Sequence, residues 1–184
     1  MKALLVLLTI PVLCAQETRL GSETAEVLGG VIYKHGDGRA ETAVGGRILG
    51  GINRYLSAYG EYAFSRVISE TTYTPRENKV RASYMDFGGG GELHWSGHRL
   101  QPYALGGVGS VRISAKAIVG PAEATVSNYH FASSAGGGLR IFATRGVGFL
   151  VEAKSVHIPS ISGRFERYAV GMFYQRQREK SEPW

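Results

Sequence analysis

Between Tyr129 and Ile158 apolar and polar positions alternate twice, with a short turn between the two runs. Tyr129, Phe131, Ser133, Ala135, Gly137, Leu139 and Ile141 fall on one face, and His130, Ala132, Ser134, Gly136, Gly138 and Arg140 on the other. After Ala143-Thr144-Arg145-Gly146 the pattern restarts, with Val147, Phe149, Val151 and Ala153 opposed to Gly148, Leu150, Glu152 and Lys154. A period of two on both sides of a tight turn predicts a β-hairpin. Strands of about 12 residues exceed the usual 5–6 of a globular strand and approach the roughly 9–11 tilted residues that cross a bilayer.

The same unit recurs along the chain. A first strand is expected over Glu23–Lys34, with faces that are hard to tell apart, followed by a turn at His35-Gly36-Asp37-Gly38-Arg39. The second, Thr42–Ile52, groups Val44, Gly46, Ile48, Gly50 and Ile52 against Arg47. The third, Leu56–Ser69, groups Leu56, Ala58, Gly60, Tyr62 and Phe64 against Ser57, Tyr59, Glu61, Ala63 and Ser65. Glu70–Lys79 is expected as a loop. The fourth strand, Val80–Trp95, groups Met85, Phe87, Gly89, Gly91, Leu93 and Trp95 against Asp86, Gly88, Gly90, Glu92 and His94. The fifth, Gln101–Lys116, groups Tyr103, Leu105, Gly107, Gly109, Val111 and Ile113 against Ala104, Gly106, Val108, Ser110, Arg112 and Ser114. Ala117–Asn128 is expected as a second long loop, and Phe165–Gln175 as the last strand. Eight strands joined alternately by tight turns and mostly longer loops predict an all-β, eight-stranded antiparallel up-and-down transmembrane barrel.

Composition adds a leader and removes several chemistries. Met1-Lys2, the apolar run Ala3–Leu13 and the small Ala15 before Gln16 read as a signal peptide over residues 1–15. That leaves a barrel domain over 16–175 and a polar tail over 176–184. Cys14 is the one cysteine and falls within the leader, so the mature chain has no thiol chemistry. With Lys2 gone, 20 of the 21 basic residues stand against 15 acidic ones. No basic patch interleaved with aromatics accompanies this excess, so no nucleic-acid partner is expected.

Alternation alone leaves open which face looks outward. The polar face carries few charges and they nearly cancel, with Arg47, Arg112, Arg140 and Lys154 against Glu61, Asp86, Glu92 and Glu152. Paired ions among small residues suit a narrow lumen, because an unpaired buried charge is costly. Trp95, Tyr103 and Tyr174 gather near the short turns, and Tyr62, Phe64, Tyr129 and Tyr168 toward the longer loops, as two aromatic girdles at membrane interfaces would. An exported barrel with these faces inserts in a bacterial outer membrane, with lipid as its first partner. The competing arrangement is a soluble periplasmic, lipocalin-like barrel with an apolar ligand inside.

The runs Gln101-Pro102-Tyr103-Ala104-Leu105-Gly106-Gly107-Val108-Gly109, Ala135-Gly136-Gly137-Gly138-Leu139-Arg140 and Tyr168-Ala169-Val170-Gly171-Met172-Phe173-Tyr174 resemble the small outer-membrane β-barrel domain family of Gram-negative bacteria, the OmpX-, OmpW- and opacity-like barrels. The resemblance implies a last strand read by the barrel-assembly machinery, although this chain continues through Gln175–Trp184. The architecture points to a structural or adhesive role, with an extracellular partner met through loops 70–79 and 117–128, where Arg76, Glu77 and Lys79 stand out. Outer-membrane lipid A deacylases look similar in placing a His, a Ser and a Glu near one rim, where His157, Ser160, Ser162 and Glu166 fall here. Their serine follows the histidine by two positions, and that position is Pro159. No catalytic residue is therefore assigned.

Other constellations point to structure. Gly88–Gly91 and Gly106-Gly107-Val108-Gly109 open no helix, so they are not dinucleotide loops; they suit a strongly coiled sheet. The histidines His35, His94, His98, His130 and His157 show no metal-ligand spacing, so neither metal nor cofactor is expected. An eight-stranded barrel is only wide enough for its own side chains to fill, so the lumen charges are expected to form a plug.

Overall fold

The computed structural model describes residues 22–34, 40–66, 70–73, 78–95, 99–119 and 122–176. Its strands are β1 (Glu23–Lys34), β2 (Ala40–Gly51), β3 (Leu56–Ser65), β4 (Glu70–Tyr73), β5 (Asn78–His94), β6 (Leu100–Val119), β7 (Ala122–Phe142), β8 (Val147–Ile158) and β9 (Gly163–Arg176). Consecutive strands pair antiparallel except β3 and β4, β1 pairs with β9, and β3 pairs with β5, which closes the sheet. β4 runs along the upper part of β5, beyond the stretch paired with β3, so the two short strands share one stave. The result is a closed, eight-stranded, antiparallel up-and-down β-barrel. Full closure leaves no lateral sheet edge through the barrel wall.

The period of two places side chains alternately inside and outside. Along β8, Leu150, Glu152, Lys154, Val156 and Ile158 are buried, while Phe149, Val151 and Ala153 are exposed. The outward face of β9 runs Arg164, Glu166, Tyr168, Val170, Met172, Tyr174, Arg176, with charges at both ends, aromatics inside them and aliphatic residues in the middle. Apolar side chains are the exposed ones all around the wall, including Val27, Ile48, Phe87, Val108, Phe131, Phe149 and Val170.

One rim holds tight turns. At 52–55 the Asn53 Oδ1 accepts the amides of Tyr55 and Leu56 at 2.8 and 2.9 Å, the local bonding that favours Asn in turns. At 143–146 the amides of Ala143 and Thr144 donate to the Val147 carbonyl, both at 3.0 Å. The other rim is uneven. β6 and β7 pair as far as Val119 and Ala122, whereas β8 joins β7 only from Ser133 onward. Residues 117–119 and 122–128, expected as a loop, are therefore strand, extending β6 and β7 above their neighbours. Within 70–79, also expected as a loop, β4 and the start of β5 form a second, shorter extension. Both extensions leave the apolar band, so neither face is selected for apolar residues and the alternation that marks a strand fades.

Other expectations shift by a few residues. The third strand ends at Ser65, short of Ser69, and Arg176, expected in the tail, pairs with Glu23. Residues 1–15, the turn 35–39, Pro75, Arg76, Glu77, His98 and the tail from 177 lie outside the described residues. The two glycine clusters face each other across β5 and β6, with Gly88 opposite Gly109, Gly90 opposite Gly107 and Gly91 opposite Gly106. They belong to strands, as the absence of a helical pattern implied.

Candidate functional site

The lumen is lined by charge because β1, β2 and β3 place Glu26, Arg47 and Glu61 directly opposite one another in register. Arg47 is the hub. Its Nη1 donates to Glu26 at 3.1 Å, its Nε and Nη2 to Glu61 at 3.0 and 2.6 Å, and its Nη2 also to Glu152 across the barrel at 2.5 Å. Toward the short turns, Arg140 grips Glu92 with two parallel bonds of 2.7 Å and turns its Nε to Glu26, also at 2.7 Å. Such bidentate, charge-assisted contacts are the strong, directional kind. Toward the long hairpin, Lys154 donates to Glu61 at 2.6 Å, and Arg167 bridges Glu61 and Glu152 at 2.9 and 3.0 Å. Asp86 lies 4.0 Å from Lys154.

Tyrosines complete the packing. Tyr103 donates its hydroxyl to Glu152 at 2.9 Å, and its ring lies 4.3 Å from the Arg140 guanidinium. Tyr59 lies beneath Arg47 at 5.3 Å. Strand and ring together need glycine here: a Cβ on Gly138 would come 2.2 Å from the Val151 backbone oxygen and 2.6 Å from the Tyr103 hydroxyl, and one on Gly107 would come 2.4 Å from the Gly89 backbone oxygen and 2.5 Å from the Tyr59 hydroxyl. Gly138→Val is therefore expected to push Tyr103 off Glu152 and to cost about 1–3 kcal/mol, the usual range for overpacking. Urea unfolding of the folded barrel measures it.

Apolar layers flank the ions. Ile32, Tyr84, Val111, Val156, Ile158 and Phe165 form a cluster on the long-hairpin side, and Leu28, Phe142, Leu150 and Phe173 form another. The ion pairs thus lie between two apolar layers of a filled interior.

The structure brings Arg47, Glu61, Asp86, Glu92, Arg140, Glu152 and Lys154 together and corrects one member of the expected set. Arg112 lies on the outer face, next to the fully buried Val111 and opposite Tyr129. β6 is turned over relative to the sequence expectation, with Tyr103, Leu105 and Val111 inside and Val108 outside. Tyr103 is accordingly a lumen residue and no part of an outer aromatic belt. Tyr62, Trp95, Tyr129, Tyr168 and Tyr174 are exposed on the outer face, and Phe64 is half-buried there.

Besides Tyr103, two charged network residues were absent from the expected lumen set. Glu26 sits in the strand whose faces could not be separated, and Arg167 in a last strand read only by its outward side. Without them Arg140 would keep only Glu92 as an acidic partner, and Glu61 and Glu152 would lose the cation that bridges them.

The rim constellation does not assemble as a catalytic group. The Ser160 hydroxyl meets His130 Nδ1 at 2.7 Å, His157 pairs across the strands with Arg164, and Glu166 bonds Arg164 at 3.2 Å and the Tyr168 hydroxyl at 3.2 Å. His94 is buried beside Glu92 at 3.5 Å. Among the described residues no group of His, Cys, Asp and Glu could hold a metal ion.

The chain matches no known protein-family model, and no curated protein matches it significantly by sequence. Its fold does have solved counterparts. The attachment invasion locus protein Ail of Yersinia pestis superposes with a TM-score of 0.62 at 13% identity, covering 85% of this chain and 99% of that one. Neisserial surface protein A gives 0.62 at 12% identity over 84% and 98%. The N-terminal β-barrel domain of Pseudomonas aeruginosa OprF gives 0.55 at 14% identity over 85% and 98%. At these identities the likeness is one of fold.

Proposed function

We propose that this protein is a non-enzymatic outer-membrane barrel of a Gram-negative envelope, serving envelope structure or surface adhesion, with a lumen closed by its own ion pairs. The inverted distribution of side chains carries this reading: the large apolar residues are outside and the charges are inside. Lipid satisfies such a surface, and a closed barrel is one of the two backbone architectures that can cross it. The aromatic residues near each end of the wall fit interfacial belts. The outward-facing pattern of β9 suits the segment that the assembly machinery takes up.

Fractionation of expressed cells tests it. The protein is expected in outer membranes, with a band whose gel mobility changes on heating in detergent. Recovery in the soluble periplasm would favour the lipocalin-like alternative.

The standing hairpin supports the interaction reading. On the side away from β6, residues 122–132 have no strand partner among the described residues, and an open edge of this kind can accept an extended segment. Replacing 70–79 and 117–128 by short turns is expected to leave the heat-modifiable barrel intact while abolishing surface adhesion or changing detergent sensitivity of the envelope. Cells that adhere and resist detergent as before would sink the loop-based role.

A further inference from the structure

Arg112 is a charge on the wrong side of a membrane barrel. Its neighbour Val111 is fully buried, its cross-strand partner Tyr129 is exposed on the outer wall, and its guanidinium lies 5.6 Å from the Tyr129 ring. Nη2 donates to the Ser127 hydroxyl at 3.2 Å, and Ser127 in turn shares a hydrogen bond of 2.8 Å with Ser114. Nε is buried without an acceptor, and Arg112 forms no ion pair with a carboxylate among the described residues. The contrast with its surroundings is direct. Lys116, two outward positions further along β6, pairs with Glu123 at 2.7 Å, and Arg164 at the same rim pairs with Glu166 at 3.2 Å.

Height explains how such a residue is tolerated. From Leu100 at the short-turn rim, strands that rise about 3.3 Å per residue at a tilt of roughly 40° carry the chain about 30 Å up by Arg112. The apolar band of an outer-membrane barrel is about 25 Å tall. Arg112 therefore stands just above it, at headgroup level, with Phe131, Val108 and Phe87 exposed below and hydroxyls beside it.

We propose that Arg112, with the Tyr129 ring and the Ser114–Ser127 hydroxyl pair, binds a phosphate on the headgroup of an outer-leaflet glycolipid. A guanidinium supplies the donors a phosphate needs, the hydroxyls extend the contact, and the wall below accepts the acyl chains. Two negative charges at headgroup level supply the counter-charge that no carboxylate provides. This rests on the outer-membrane reading above.

The test uses the full chain in phosphatidylcholine nanodiscs doped with lipid A carrying both phosphates, or with the same lipid after phosphatase treatment. Native mass spectrometry counts the lipid A retained, and the heat-induced band shift confirms folding. Wild type is expected to retain the phosphorylated form about tenfold better than the dephosphorylated one, the value of one charge-assisted contact. R112Q should lose that preference, R112K should keep part of it, and Y129L should weaken it.

An unchanged preference in R112Q, with its band shift intact, would overturn the lipid site while leaving the barrel reading untouched. Displacement by inorganic phosphate at equal concentration would do the same, since it would make the ligand a free anion. A chain that neither inserts nor shows the band shift would overturn the membrane reading, and this proposal with it.

Discussion

Arg47→Ala is expected to destabilise the barrel by about 3–5 kcal/mol, because removing one partner of a buried ion pair strands the other. Three carboxylates lose a partner at once: Glu26, Glu61 and Glu152. Arg140, Lys154 and Arg167 still reach those acids, which caps the loss. Methionine at the same position fills the volume but leaves the acids as exposed to one another, so it should be nearly as costly. Urea unfolding in phospholipid vesicles, followed by the gel band shift, measures both. A loss below about 1 kcal/mol would place the pairs in the regime of solvated surface bridges and argue for a water-filled lumen. A double-mutant cycle of Arg47→Ala with Glu152→Ala should be strongly non-additive, as residues sharing one network are.

Val170→Arg probes the outside. Val170 is 63% exposed near the middle of β9. In a bilayer, arginine at the midplane of a barrel wall costs about 2–4 kcal/mol and close to nothing at the interfaces. In water the same substitution at an exposed position should stay within about 0.5 kcal/mol. The expected result is a large loss of stability in vesicles, with reduced assembly into outer membranes. The native strand already follows this rule, since its outward arginines, Arg164 and Arg176, stand at its two ends. A neutral result would turn the barrel into a soluble one and revive the internal apolar ligand.

The architecture was legible because most staves alternate with one chemically distinct face. β3, β5, β7, β8 and the outward side of β9 each set aliphatic and aromatic residues against small or charged ones, and the structure orients them that way. β6 misled because a small barrel also packs apolar residues inside. Tyr103, Leu105 and Val111 meet Tyr59, Leu49 and the Phe165 cluster in the interior, while Ala104, Gly106 and Ser110 face outward with too little bulk to announce it. Hydrophobicity marked which residues avoid water, and in this strand both sides do. The partners of the charges depended on register across the closure, from β1 to β9, which no local window contains. Glu26 and Arg167 were missed for that reason.

The ion network draws a side chain from every stave: Glu26, Arg47, Glu61, Asp86 and Glu92, Tyr103, Arg140, Glu152 and Lys154, and Arg167. No partly assembled sheet can satisfy it. Until β1 meets β9, the acids on β1 to β3 stand apart from the cations on β7 to β9, and an open sheet would have to keep them hydrated. Closing the ring dehydrates and pairs them in a single event. Cooperativity is thereby written into the interior: β1 to β3 alone can pair Arg47 with Glu26 and Glu61, but the contacts from Arg140 to Glu26, from Arg47 to Glu152, and from Lys154 and Arg167 to Glu61 wait for the last hydrogen-bonded seam.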